Sequence, residues 1–159
     1  MGMRVGIGYD VHPRAEGRRL VLGGVAFEST WGLAGHSDAD VLTHAVGDAV
    51  LGALGLGDLG THFPPSDARW KDASSLDLLG RIHEMAIRRG ATIVNVDVTL
   101  VAEEPRVSPH YRAMRANLAK ALATTEDRVS VKSTTHEKLG ALGRGEGLAA
   151  WAVALVELP

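Results

Sequence analysis

The run Ile93-Val94-Asn95-Val96-Asp97-Val98-Thr99-Leu100-Val101-Ala102 alternates strictly through its centre. Val94, Val96, Val98 and Leu100 fall on one side, and Asn95, Asp97 and Thr99 on the other. Successive side chains of a strand point to opposite faces, so this period of two predicts a strand half-buried on a core. Upstream of it, Ser74 to Arg89 reads as a helix with a serine at its start and Gly90 at its stop. Downstream, Ser108-Pro109 opens another helix that runs to about Ala123, with proline at the first helical position, where its missing N–H is not needed. Arg128 to Ser133 and Leu148 to Glu157 close the chain as strands. The last is apolar on both faces, so it belongs in the centre of a sheet or against another subunit. Toward the N-terminus, Val5 to Val11 reads as a strand, and Arg19–Leu22, Gly23-Gly24 and Val25–Glu28 as a hairpin on a two-glycine turn. Asp38 to Leu54 places Val41, Leu42, Ala45, Val46, Ala49 and Val50 on one helical stripe, with Ser37 or Asp38 as its cap. The sum is an α+β chain, a mixed β-sheet with helices layered on one face and a ferredoxin-like topology. An apolar strand face left open on so small a sheet argues for association with further copies.

No composition shift, repeat or low-complexity tract divides the 159 residues, which are read as a single catalytic domain, 1–159. Apolar residues make up 45% and charged residues 23%, an ordinary globular balance. The net charge of −2 leaves no basic excess to neutralise phosphates, so no nucleic-acid partner is expected. With no cysteine, disulfides, thiolate metal sites and a cysteine nucleophile are excluded, and any metal must sit on His, Asp or Glu. The opening Met1-Gly2-Met3-Arg4-Val5 does not read as a signal peptide. The longest apolar run, Leu148 to Val156, is far short of a membrane span. A cytoplasmic protein is expected.

Seven histidines are the unusual feature of this chain. Asp10 and His12 sit two apart at the end of the first strand, so a carboxylate and an imidazole point the same way. Taken alone, such a pair is ordinarily surface or core filler. His44 lies in the first helix, one turn from Asp40 and one from Asp48; it is either bonded to a neighbouring carboxylate or the third member of a two-His, one-carboxylate set. Three protein ligands with a vacant fourth position are the pattern of catalytic zinc. In that case Asp48 or Asp40 would be the partner that orients His44. Gly35-His36-Ser37-Asp38 precedes the helix, where backbone N–H groups can bind an anion, or serves as a plain capping loop. Lys132 to Lys138 is dense in donors and carries Glu137, suiting either a phosphate cradle with a Mg²⁺ ligand or a polar turn. Gly143-Arg144-Gly145-Glu146-Gly147 and Gly6-x-Gly8 lack the residues that would make either a nucleotide motif.

Gly8-Tyr9-Asp10-Val11-His12, Gly23-Gly24-Val25, His36 to Val41, His44, Leu56-Gly57-Asp58, Asn95-Val96-Asp97, Thr134 to Gly140 and Gly143 to Gly147, in this order and spacing, closely resemble the 2-C-methyl-D-erythritol 2,4-cyclodiphosphate synthases over essentially the whole chain. The resemblance implies an enzyme of the non-mevalonate isoprenoid pathway, a phosphorus–oxygen lyase. It would turn 4-diphosphocytidyl-2-C-methyl-D-erythritol 2-phosphate into the cyclic diphosphate and CMP. It also implies a homotrimer with active sites at subunit interfaces. Asp10, His12 and His44 would hold Zn²⁺, one per subunit, and Glu137 a Mg²⁺ or Mn²⁺ on the substrate diphosphate. His36, Ser37, Asp58, Leu59 and Gly60, with Phe63 and Asp67, would bind the methylerythritol phosphate end beside Asp10 and His12. Ala102, Pro105, Arg106 and Ser108, with Lys132, Thr134, Thr135 and Glu137, would line the cytidine diphosphate pocket, and Arg144 would contribute a further substrate contact. His36 and Thr135 are the expected transition-state contacts.

His136, Pro65 and Ala141 depart from the residue types usual in that family at their positions. In the reaction the resemblance implies, the substrate's own 2-phosphate would attack and no enzyme nucleophile would be required, which accords with the absence of cysteine. Positioning alone can supply on the order of 7–11 kcal/mol. Two other readings of the same residues are a metal-dependent phosphohydrolase using Asp58 as base, and a non-catalytic trimeric nucleotide sensor.

Overall fold

The computed structural model describes residues 1–159. The chain begins with a long strand, β1 (Gly2–Glu16), followed by three short ones, β2 (Leu20–Leu22), β3 (Val25–Phe27) and β4 (Trp31–Leu33). Then come α1 (Val41–Ala53), α2 (Leu59–His62), α3 (Ser75–Arg88) and β5 (Thr92–Val101). The remainder is α4 (Tyr111–Ala121), β6 (Val129–Thr134), α5 (Gly140–Gly143) and β7 (Gly147–Leu158). Five strands form one mixed sheet in the order β4-β1-β7-β5-β6, and β2-β3 forms a separate hairpin.

β7 is central, as its two apolar faces require, running antiparallel to β1 from Gly147↔Pro13 to Leu158↔Gly2 and antiparallel to β5 on its other side. β5 and β6 are parallel, because α4 carries the chain back between them. That pair lies at the sheet edge. A ferredoxin-like sheet follows β-α-β-β-α-β, whereas here three short strands and three helices separate β1 from β5 and a single α-helix separates β5 from β6. β7 then returns from β6 to lie between β1 and β5, so the ferredoxin-like expectation is corrected.

The helices cover one face. α1 lies against β1 so closely that a Cβ on Gly6 would stand 2.0 Å from the Ala49 carbonyl oxygen. Only glycine permits that approach. Ala150, Ala152 and Ala154 of β7 floor the same contact, with Leu42, Val46 and Val50 of α1 wholly buried nearby. α3 contributes Leu78, Leu79 and Ile82, and α4 contributes Met114 and Leu118. Each such leucine or isoleucine taken from water contributes roughly 1.5–3 kcal/mol. The opposite face is bare and apolar: Met3, Val5, Ile7, Tyr9 and Val11 of β1 and Trp151 and Val153 of β7 are exposed.

Several boundaries differ from the sequence expectation for identifiable reasons. The alternation in β5 holds from Val96 to Leu100, but a bulge between Ile93 and Asn95 slips the register by one, so Ile93 is buried and Val94 is not. The cap of α1 is Asp40, not Ser37 or Asp38: its Oδ1 accepts from the Thr43 N–H at 3.0 Å. The helix after Ser108 begins as a 3₁₀ turn, Ser108–His110, before α4 proper. The hairpin is as expected, with Gly23 and Gly24 at φ +56° and +71°.

Candidate active site

Asp10 and His12 leave β1 on its helix-covered side, and His44 projects from α1 directly above them. Their ligand atoms converge: His12 Nε2 is 2.9 Å and His44 Nδ1 3.0 Å from Asp10 Oδ2, and the two ring nitrogens are 3.2 Å apart. Donor atoms around a zinc ion at bonding distance stand roughly 3.3 Å from one another, so a small expansion separates this cluster from a loaded one. The His12 Nδ1–H donates to the Ala34 carbonyl oxygen at 2.6 Å, which leaves Nε2 as the metal-facing atom. A carboxylate oxygen and two ring nitrogens crowded about one point can hold a metal ion. Burial pushes the Asp10 carboxyl up, but hydrogen bonds and charge from His12 and His44 outweigh it and bring its pKa down to about 2. Burial likewise lowers His12, and the Asp10 carboxylate more than reverses this, so its pKa is raised.

The carboxylates one turn from His44 do other work. Asp40 is wholly buried and accepts from the N–H groups of Gly23 (2.9 Å), Gly24 (2.8 Å) and Thr43 (3.0 Å) and from the Thr43 hydroxyl (2.7 Å). It therefore pins the β2-β3 hairpin to α1 and closes the helix N-terminus that had been a candidate phosphate site. Asp48 accepts from the Leu59 N–H at 2.8 Å, and burial raises its pKa. The groups that do meet the far nitrogen of His44, Nε2, are hydroxyls: Ser75 Oγ at 2.8 Å and Ser37 Oγ at 3.0 Å. The expectation that Asp48 or Asp40 orients His44 is thus corrected.

The triad opens into a cleft of about 410 Å³. Of the residues expected at the methylerythritol phosphate end, His36, Ser37, Asp58, Leu59, Gly60 and Phe63 line it, together with Asp48, Pro65, Trp70 and Leu78. Asp67 does not line it; its carbonyl accepts from His36 Nε2 at 3.2 Å and its carboxylate holds Arg69 at 2.6 Å. Asp58 caps α2, accepting from the Thr61 N–H (2.9 Å) and hydroxyl (2.7 Å). Those bonds hold its carboxyl below the usual range.

The other expected residues gather elsewhere. Ala150 of β7 is paired with Asp10 on one side and Leu100 on the other, so the ends of β1 and β5 lie at the same end of the sheet. Yet Asp10 and His12 continue the helix-facing register of Gly6 and Gly8, whereas Lys132 and Thr134 of β6 alternate with the buried Val129 and Val131 and take the open face. Lys132 Nζ meets Asp97 Oδ2 there at 2.5 Å. Glu103 accepts from the backbone N–H groups of His136 (2.8 Å) and Lys138 (3.4 Å), tying the 135–138 turn to the loop that carries Ala102, Pro105, Arg106 and Ser108. Thr135 Oγ1 accepts from the Glu137 N–H at 3.1 Å. Glu137 and Lys138 both take positive φ, +50° and +61°. Arg144 pairs with Glu146 at 3.0 Å. None of this second group touches the cleft, so a single chain does not bring the two halves together.

A family model described as the YgbB family matches residues 3–157. 2-C-methyl-D-erythritol 2,4-cyclodiphosphate synthases from Synechococcus elongatus and Syntrophomonas wolfei are 55% and 56% identical to this chain over 153 and 155 residues. The matches cover 96% and 98% of this chain, and 96% and 99% of theirs. The chain belongs to the 2-C-methyl-D-erythritol 2,4-cyclodiphosphate synthase family. Among solved structures, the bifunctional IspDF of Campylobacter jejuni matches with a TM-score of 0.95 at 40% identity, covering 99% of this chain and 43% of that one. The Plasmodium falciparum IspF–CDP complex matches with a TM-score of 0.86 at 33% identity, covering 99% and 97%.

Two residues of the site carry little signal in the sequence. Ser75, which is 1% exposed at the first turn of α3, looks like one more helix-start serine; only the repeated Ser74-Ser75 hints at a second task. Asp38, with Ser37 one of the two expected caps of α1, instead accepts from the backbone N–H of Ser75 at 3.0 Å. No helix is long and apolar enough to cross a membrane.

Proposed function

We infer that this chain closes 4-diphosphocytidyl-2-C-methyl-D-erythritol 2-phosphate into the 2,4-cyclodiphosphate with release of CMP, and that each working site takes its metal triad from one copy and its nucleotide loops from another. The absence of every residue of the second group from the lining of the cleft that holds the triad supports this reading. We take the assembly to be a homotrimer of cytoplasmic single-domain subunits, joined through the bare face of β1 and β7. That face supplies Val5, Ile7, Tyr9, Val11 and Trp151 in one apolar patch.

In that arrangement Asp10, His12 and His44 would hold Zn²⁺, and Glu137 would help hold a Mg²⁺ or Mn²⁺ that accompanies the substrate diphosphate. Bound metals would supply charge neutralisation and polarisation of phosphoryl oxygens. The protein's own task is to fold a flexible, highly charged substrate so that its 2-phosphate oxygen lies in line with the β-phosphorus. The cleft walls formed by Leu59, Phe63 and Trp70 confine the methylerythritol carbons, while His36 and Ser37 meet the phosphate end. Lys132, Thr134 and Thr135 meet the diphosphate; Ala102, Pro105, Arg106 and Ser108 surround the cytidine. His36 Nε2 donates to the Asp67 carbonyl, which orients the ring at the edge of the cleft, where it and Thr135 from the second copy would be the transition-state contacts.

A hydrolase would need a base with a free lone pair facing the cleft. Asp58 Oδ1 accepts from the Thr61 N–H and hydroxyl, and those bonds hold its carboxyl below the usual range, which makes it a weaker base for water attack.

Phosphorus NMR of the protein with this substrate, Zn²⁺ and Mg²⁺ tests the reading. Stoichiometric CMP with a cyclic diphosphate is expected. CMP with an open-chain product would make the protein a hydrolase, and unchanged substrate with bound nucleotide would make it a sensor.

A further inference from the structure

We propose that Asp38 and Ser75 form a two-step relay that fixes the tautomer of His44, presenting its Nδ1 lone pair to the metal. The proposal rests on the reading of Asp10, His12 and His44 as a metal centre.

Direction follows from what each group can donate. Asp38, as a carboxylate, only accepts. It takes the N–H of Asp40 at 3.1 Å and that of Ser75 at 3.0 Å, and its Oδ1 also receives the Ser75 hydroxyl. The single hydroxyl proton of Ser75 is therefore spent on Asp38. Its oxygen, 2.8 Å from His44 Nε2, can then only accept. Nε2 must carry a proton, so Nδ1, 3.0 Å from Asp10 and facing His12, is the nitrogen left to offer its lone pair to a bound metal. Ser37 Oγ, at 3.0 Å from the same nitrogen, has no such constraint. It accepts from the Ala39 N–H at 3.3 Å and its own proton is unassigned, so it cannot decide the tautomer.

The relay also explains why Ser75 is buried at 1% exposure although it lies at the beginning of a helix. The start of α3 is docked onto the metal centre through it. Metal-bound histidines commonly give their other N–H to a carboxylate or carbonyl, and loss of such a partner typically weakens metal binding 10–100-fold. Here the carboxylate acts at one remove, through a hydroxyl from an element thirty-one residues away along the chain.

Asp38 and Ser75 are positioning residues, and the substitutions Ser75→Ala and Asp38→Asn separate that role from mere packing. Ser75→Ala removes the acceptor. Asp38→Asn is nearly isosteric but can donate to Ser75 Oγ, which turns the serine proton toward His44 Nε2 and favours the wrong tautomer. Zinc affinity, measured by competition with a chromophoric chelator, is expected to fall 10–100-fold in both. Long-range proton–nitrogen spectra of the metal-free proteins are expected to show the His44 proton on Nε2 in the unsubstituted chain, and shifted toward Nδ1 in Asp38→Asn. Ser75→Thr, which keeps the hydroxyl, is expected to restore affinity to within a few-fold. If Ser75→Ala does not fold, the Asp38→Asn spectra and affinity decide alone. Unchanged affinity and an unchanged His44 tautomer in Asp38→Asn would overturn the relay while leaving the metal centre standing. Failure of the unsubstituted protein to take up zinc would overturn both.

Discussion

Gly8 passes beneath Ala45 so closely that a Cβ on the glycine would stand 1.9 Å from the Ala45 carbonyl oxygen. Ala45 follows His44 in the chain, and Gly8 precedes Asp10 on the same face of β1. The spacing that brings helix to strand is therefore the spacing that brings His44 Nδ1 to Asp10 Oδ2.

Gly8→Ala should consequently damage both stability and metal binding. Forcing an extra carbon into a packed site typically costs about 1–3 kcal/mol, which for a chain of this size lowers the melting temperature by roughly 2–4 °C per kcal/mol. The displaced α1 would also open the triad, so zinc affinity should fall with it. Gly2→Ala has nothing within 4 Å of the added carbon and serves as the neutral control. Thermal melts with and without zinc check this; a Gly8→Ala protein that melts like the control would show that α1 can lift without cost.

The two metal assignments are separable by substitution. His44→Ala removes one of three donors and should abolish zinc binding and turnover while most of the fold persists, since the side chain faces the cleft rather than the core. Glu137 is exposed in the turn after β6 and does not line the cleft of the triad, so Glu137→Gln should leave bound zinc unchanged and raise the Mg²⁺ concentration needed for turnover. Metal analysis beside a Mg²⁺ titration distinguishes them. Zinc loss in Glu137→Gln would mean that the two sites have been assigned the wrong way round.

The folds of the helices and long strands were legible because each is a long periodic signal, and the two-glycine hairpin because its turn demands positive φ. What stayed hidden was one residue long or depended on distant partners. A single-residue bulge at Val94 leaves the valine pattern unchanged in sequence while reversing which side chain is buried. Ser37, Asp38 and Asp40 are all competent caps, and only the three-dimensional neighbours, Gly23 and Gly24 for one and Ser75 for another, decide which does what. β4 is three residues long at a sheet edge, too short for periodicity to register. The grouping of Asp10, His12 and His44 as a candidate metal site was readable from spacing plus family resemblance, and the fold brings the three together. The partner of His44 was not, because helical spacing nominated Asp40 and Asp48 and the tertiary fold chose Ser75.

The charge balance within the triad sets a pH window for the metal-free protein. His12 has a raised pKa in the fold against an ordinary value of 6.5. Its contribution to stability is therefore complete below pH 6.5 and is lost as pH rises through the raised value. Asp10 is lowered to about 2 from 3.8, so its contribution is complete above pH 3.8 and is lost as pH falls toward 2. With a chelator present, the contribution of this pair should be greatest between those limits and decline on the alkaline side. Zinc competes with the His12 proton, so its stabilising effect should move the other way. Below the raised pKa, affinity should grow by roughly tenfold per pH unit for the one proton displaced. Melting temperatures across pH in chelator and in excess zinc test this; parallel curves would show that zinc does not displace the His12 proton.

Assembly through the open face predicts a loss of activity that spares the metal. Ile7 is 71% exposed on β1, on the face opposite His12 and His44, and is flanked there by Val5 and Tyr9. In the trimer its burial would contribute roughly 1.5–3 kcal/mol per copy. Ile7→Asp replaces that gain with an unpaired buried charge, whose desolvation costs several kcal/mol. In the isolated chain the same aspartate is solvated and should be tolerated. The expected protein is therefore folded, zinc-binding and monomeric by light scattering, and it should have lost turnover because the nucleotide loops of a second copy no longer reach the cleft. A monomeric Ile7→Asp protein that retains full activity would mean that one chain closes its own site. A variant that stays trimeric would place the interface on another surface.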